Sequence, residues 1–174
     1  MKPASHRDQL VAMLCEAAEV EHCLMCTYLY GAFSLKQRTD EDLTDYVGEF
    51  ARLRQRFPQL KPHRWVEGKK PDGSYDVKWL TPKGSEMSET DWNFPDGRFL
   101  AYILGPAAEQ GEPLLIVLNG ADDAVDVTGP EWPRVARWAC VIDSVDGQSN
   151  SATLEVGGRW SAQPRSVLAF AGES

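Results

Sequence analysis

The chain has no apolar run close to the ~20 residues of a membrane-spanning helix, so no membrane partner is expected. Its first residues, MKPASHRDQL, lack the apolar core of a secretion signal. Cysteine is scarce, with only Cys15, Cys23, Cys26 and Cys140. Three of these fall in one helical pattern, and none has the spacing of a secreted disulfide framework. A reducing, cytoplasmic compartment is the natural expectation. Positive charge is in deficit: 18 Lys and Arg face 26 Asp and Glu, for a net charge of -8. Such a surface repels phosphate backbones, which argues against a nucleic-acid partner. The local basic cluster of Arg52, Arg54, Arg56, Lys61, Arg64, Lys69 and Lys70 reads as a solvated helix face and loop. Length is also short. The 174 residues suit one domain, or one domain with an appendage, whereas a (β/α)₈ barrel takes ~250. There is no internal repeat and no low-complexity tract.

What is present divides in two. Residues 7–35 read as one helix, with Leu10, Met13, Leu14, Ala17, Val20, Leu24 and Tyr28 at three- and four-residue steps. A second helix runs over 40–57. Thr39 or Asp40 can cap it, and Leu43, Tyr46, Val47, Phe50, Leu53 and Phe57 form its apolar stripe. Pro58 stops it. From Trp65 onward the pattern changes to short strands broken by Gly and Pro. The candidates are Asp76–Leu80, Phe99–Leu104, Leu114–Asn119, Ala124–Thr128, Val135–Asp143, Ala152–Val156 and Ser166–Phe170. Turn signals such as Asp72-Gly73, Asn119-Gly120 and Gly157-Gly158 separate them. The apolar run Leu114–Leu118 predicts a central strand covered on both faces. In Val135–Asp143, Arg137 and Asp143 are expected to face water. The expected fold is mainly β: an antiparallel β-sandwich preceded by two α-helices, with no (β/α)₈ barrel. The expected divisions are 1–38, 39–62 and 63–174.

The stretch DVKWLTPKGSEMSETDWNFPDGR, residues 76–98, packs two Trp, two turn signals and a dense polar run into one segment. It resembles the segment just after the catalytic barrel in bacterial glycogen debranching enzymes of the isoamylase type, in the alpha-amylase superfamily. Trp79, Leu80, Pro82, Glu86, Met87, Asp91, Trp92, Pro95 and Arg98 carry the resemblance. FARLRQRFPQL resembles the last helix of that barrel. LLIVLN, WACVID and SVLAF resemble later strands, in the family's order. The likeness runs from about residue 43 to 174 and implies a β-sandwich that packs on a barrel. The family's chemistry does not come with it. Retaining glycosidases need two carboxyl groups about 5–5.5 Å apart across the scissile bond, on barrel strands that this chain lacks. Glu86, Asp91 and Asp96 are expected to shape turns and cap strands. Asp122, Asp123 and Asp126 read as a solvated turn. No catalytic residue and no cofactor is assigned. Activity, if any, would be the family's glycoside hydrolysis, and the chain alone is expected to be non-catalytic.

All six Trp lie at or after Trp65. An exposed indole pairs an apolar face with a polar edge and can stack on a sugar ring. Trp132, in a loop between Glu131 and Pro133, and Trp160 are the candidate substrate-binding residues for an α-glucan. Trp79 and Trp138 fall within strands and are expected in the core. Trp92 is expected to anchor its loop.

The segment EAAEVEHCLMCTYLYGAFSLK, within residues 5–37, resembles the first helix of a ferritin-like bundle, in the branch of the iminophenylpyruvate dimer synthase of violacein synthesis. Glu19 and His22 have the Glu-x-x-His spacing of a di-metal site, since residues three apart share a helix face. Such a site draws further ligands from other helices, so one chain supplies only a fragment, and a solvated Glu-His pair is the simpler reading. Cys15 and Cys26 lie ~16 Å apart along a helix and cannot share a zinc ion. Cys23-x-x-Cys26 lies deep in a helix, not at its start where redox pairs sit.

Three functions follow. The first is a non-catalytic C-terminal accessory domain or remnant of a glycogen debranching enzyme. The second is a stand-alone α-glucan-binding module. The third is a small metal-binding protein that assembles as a homo-oligomer through its N-terminal helices.

Overall fold

The computed structural model describes residues 48, 51–61, 66–108, 111–145 and 152–174. The first helix, most of the second, Glu19, His22, Cys15, Cys23, Cys26 and Trp65 lie outside the described residues.

Eight strands follow one another: β1 (Val77–Leu80), β2 (Phe99–Leu104), β3 (Leu114–Asn119), β4 (Val125–Thr128), β5 (Arg137–Asp143), β6 (Thr153–Glu155), β7 (Arg159–Ala162) and β8 (Ser166–Glu173). A one-turn helix, α1 (Glu89–Trp92), lies between β1 and β2. Six strands form one sheet in the order β1-β2-β3-β8-β5-β6, and β4 pairs with β7 in a second. Every pairing is antiparallel. The architecture is a β-sandwich, as the alternation of short apolar segments and turns predicts. Among the described residues no helix is long and apolar enough to cross a membrane.

Period-two alternation explains the layers. Ala101 and Ile103 of β2, Leu115 and Val117 of β3, Trp138 and Cys140 of β5, and Leu168 and Phe170 of β8 bury into one cluster. Val127 of β4 and Ala162 of β7 close it from the second sheet. The intervening residues Leu114, Ile116, Val167, Ala169 and Ala171 are buried as well. The run LLIVL is therefore covered on both faces, as a continuous apolar strand must be.

On the N-terminal side, residues 51–56 are helical, and Pro58 opens a 3₁₀ turn, Pro58–Leu60. Proline has no N–H for an i to i−4 bond, so the α-helix ends where expected. Leu53 and Phe57 are buried. Arg56 pairs with Glu112 at 2.9 Å, and Gln59 Nε2 donates to the Glu112 carbonyl at 2.7 Å. These contacts pin the segment beside the entry to β3.

The β5–β8 ladder carries a bulge between Cys140 and Ile142. Cys140 faces Phe170 in the register, but Ile142 faces Ala169. The extra residue is Val141. Cys140 thus enters the main cluster, while Ile142, also buried, sits outside it.

The ladder's register defines two ends. At one end stand Phe99, Asn119 and Ser166; at the other stand Leu104, Leu114 and Ala171. The first end is sealed by Asn119, which is fully buried. Its Nδ2 donates to the carbonyls of Asp123, Ala162 and Gln163 at 2.9, 3.0 and 2.9 Å. Its Oδ1 accepts the Ala121 N–H at 3.0 Å. One amide thereby ties the β3–β4 turn to the β7–β8 connection. Ser144 Oγ accepts the Val167 N–H at 2.8 Å, and Arg165 pairs with Asp122.

Four local readings differ from the structure. β7 was not expected: RWSA is short, and its alternation of exposed Arg159 and Ser161 with half-buried Trp160 and buried Ala162 spans only four residues. α1 replaces a loop, because Ser88 and Asp91 form a capping box around it. Trp79 lies half-buried outside the main cluster, its ring 5.0 Å from Tyr102 and 5.5 Å from Trp92. Asp122, read as part of a solvated turn, holds the ion pair to Arg165.

Candidate functional site

The opposite end of the sandwich is open. A groove of about 540 Å³ there is lined by Lys78, Glu131, Trp132, Pro133, Val135 and Val156. Its walls come from β1, the β4–β5 loop and the residue after β6.

The β4–β5 loop is held firmly where it leaves the sheet. The Gly129 N–H donates to the Gly158 carbonyl at 2.9 Å, and the Gly157 N–H donates to the Gly129 carbonyl at 2.9 Å. A Cβ on Gly129 would stand 2.1 Å from the Glu155 carbonyl oxygen, so only glycine allows this approach. Trp138, fully buried, donates its Nε1–H to the Pro130 carbonyl at 2.9 Å. The loop then presents Trp132, half-buried, with part of its ring packed on the core cluster. The Trp132 carbonyl accepts the Val135 N–H at 3.1 Å. The indole is thus mounted on the core and not left on a swinging tip.

Behind it stands Tyr75, ring centroids 6.5 Å apart and planes tilted by 57°. Lys69 Nζ and Lys78 Nζ lie 5.8 and 5.6 Å from the Tyr75 ring centre, within cation–π range. The Tyr75 hydroxyl donates to Glu86 Oε2 at 3.1 Å. Burial, then the Glu86 carboxylate, raise its pKa above the ordinary 10.0, so it remains a proton donor at neutral pH. Asp76 fixes the hairpin that carries Tyr75. Burial alone would raise its pKa, but N–H groups of Glu67, Gly68 and Val77 outweigh this and hold it below the ordinary 3.8. Asp72 is lowered by the Ser74 hydroxyl and N–H at the turn below.

Among the described residues the groove is lined by one cation, Lys78, and one anion, Glu131. Among the described residues the Glu131 carboxylate has no hydrogen-bond or ion-pair partner, and the Trp132 indole N–H has no acceptor. The groove therefore offers a flat apolar face flanked by a donor and an acceptor.

Of the residues singled out from sequence, Trp132 lines this groove and Trp160 does not. Trp160 packs edge-on against Phe170 at 5.3 Å, at the margin of the core. Glu19 and His22 lie outside the described residues, and among those described no three metal-ligating side chains cluster. Sequence reasoning missed Lys78, Glu131 and Tyr75, which converge from separate segments. Glu86 and Asp91 do shape local structure: Glu86 holds Tyr75, and Asp91 completes the capping box with Ser88. The Ser88 hydroxyl and N–H keep the Asp91 carboxyl below its ordinary pKa.

Residues 76–170 match the family described as Isoamylase, C-terminal. The chain belongs to the isoamylase C-terminal domain family. The match covers all of β1 to β7 and most of β8. A glycogen debranching enzyme of Yersinia enterocolitica is 32% identical over 128 residues, 74% of this chain and 17% of that protein. One from Escherichia fergusonii is 27% identical over 136 residues, 77% of this chain and 18% of that protein. A glycogen operon protein GlgX homolog of Mycobacterium bovis is 26% identical over 141 residues, 73% of this chain and 20% of that protein. The isoamylase C-terminal domain chain thus spans about a fifth of the length of the curated relatives it matches. It corresponds to a C-terminal region of a debranching-type protein, as the motifs from Trp79 to Arg98 imply.

Proposed function

We propose that the chain acts as a non-catalytic accessory domain of a glycogen-debranching system, or is a retained remnant of one, and that it works in the cytoplasm. One observation carries the reading. Among the described residues, the domain that matches the family presents one groove carboxylate, Glu131, where a retaining glycosidase requires two flanking the bond. The remaining carboxylates near β1 are committed to structure: Asp76 to backbone N–H groups, Glu86 to Tyr75 and Asp91 to a helix cap. The relatives named for glycogen debranching support the setting, and their greater length leaves room for a catalytic body elsewhere.

The test is a reducing-end assay on glycogen and amylopectin with the purified full chain. No release of linear chains is expected. Release that persists through re-purification and is lost in Glu131→Gln would replace this reading with an enzymatic one.

A further inference from the structure

We infer that the groove at the open end is a binding site for a linear α-1,4-glucan segment, with Trp132 as the stacking platform and Lys78 and Glu131 as hydroxyl partners. The inference rests on the family reading for the choice of sugar and on the groove's own chemistry for the site.

Three observations converge. The Trp132 ring is anchored at its base by packing on the core and by backbone bonds around Gly129 and Pro130, yet it also lines the groove. A rigid aromatic face loses little freedom when a ring stacks on it. Among the described residues the groove is lined by one Lys and one Glu, although the whole chain carries -8. An anionic ligand would meet Glu131 and the acidic surface, and a cationic one would meet Lys78. A neutral polyol suits both, because each vicinal hydroxyl accepts from an ammonium and donates to a carboxylate. Finally, the Glu131 carboxylate and the Trp132 indole N–H are unpartnered among the described residues, so a ligand exchanges only water there and displaces no protein partner. The floor of Pro133, Val135 and Val156 supplies the apolar contact that the C–H face of a glucose ring seeks.

Trp92 is the competing platform. It is 52% exposed beside Phe94, 61% exposed, but its flanking Asp91 and Asn93 side chains already bond to Ser88 and the Glu89 carbonyl. That patch offers aromatic surface with fewer uncommitted polar partners.

Affinity electrophoresis of the full chain in glycogen-containing gels tests the site, with maltoheptaose titration followed by tryptophan fluorescence for affinity. The wild type should be retarded. Trp132→Ala should weaken binding about tenfold. Glu131→Gln, at an exposed position that does not threaten folding, should weaken it about fivefold. Trp92→Ala should bind as the wild type does. Unaltered mobility of the wild type would overturn the inference. So would loss of binding in Trp92→Ala with retention in Trp132→Ala and Glu131→Gln. Binding is read without turnover, so the two readings fail separately: a chain that binds and cleaves sinks only the accessory role, and one that does neither sinks only the glucan site.

Discussion

The two ends of the sandwich are built from the same kinds of loops and finished in opposite ways. At the Asn119 end, one buried amide satisfies three carbonyls and one N–H, and Arg165 meets Asp122. At the Trp132 end, an indole, a carboxylate and an ammonium stand around an open groove. Each end also holds one non-glycine residue in the left-handed region, Arg165 at φ 53° and Arg134 at φ 64°. At the sealed end that strain is offset by the ion pair and by the Arg165 N–H donating to Ala121 O at 3.1 Å. Polar groups that are all paired hold a fold together; polar groups left waiting are available to a ligand.

The contrast can be broken from beneath the open end. Trp138 faces Gly172 in the register there, fully buried and bonded to Pro130. Trp138→Ala should cost about 3–5 kcal/mol in urea unfolding and degrade the groove as well. A small loss would mean the core does not carry the open loop. Next comes the seal. Asn119→Ala leaves the turn and connection without their shared partner and should cost about 2–3 kcal/mol, with glucan retardation of the folded fraction unchanged. If that variant instead abolished binding while staying folded, the two ends would not be independent.

Arg134→Gly should act in the other direction. Relief of left-handed strain, less the entropy gained by the unfolded chain, should raise stability by up to about 1 kcal/mol. A smaller change is expected from pH. The folded pKa of Asp76 lies below the ordinary 3.8. Its contribution is therefore whole above about pH 4 and fades as pH falls through the folded value. Asp76→Asn should flatten the fall of stability below about pH 4, measured by thermal melts from neutral into acid, and the effect should be small because the site is largely solvent-screened. Glu131→Gln should change the unfolding midpoint least, within about 0.5 kcal/mol, since its carboxylate bonds to no described residue. A marked loss there would show that Glu131 serves the fold.

The sandwich was legible wherever apolar residues ran long enough to outvote their surroundings. Leu114–Asn119 and Phe99–Leu104 appear at the boundaries expected, and β3 is covered on both faces as its unbroken run requires. β7 escaped because four residues hold only two inward positions; the Gly157-Gly158 turn ahead of it was the available signal. Ser88-x-x-Asp91 likewise announced α1. The site was half legible. Trp132 could be chosen because a Trp beside Pro133 in a loop has no strand to hide in. Trp160 looked similar but alternates inward on a strand that was not foreseen. Lys78, Glu131 and Tyr75 could not be grouped, because their nearness depends on how the hairpin before β1 folds back toward the β4–β5 loop.

The bulge at Val141 has a consequence for the chain's tolerance to change. Removing that single residue would restore strict alternation to β5 and leave the register as it stands, with Cys140 opposite Phe170, Ile142 opposite Ala169 and Asp143 opposite Leu168. Deleting a paired residue of the same strand would instead turn every side chain beyond it to the other face. A one-codon deletion at Val141 should therefore damage the molecule far less than one at its paired neighbours.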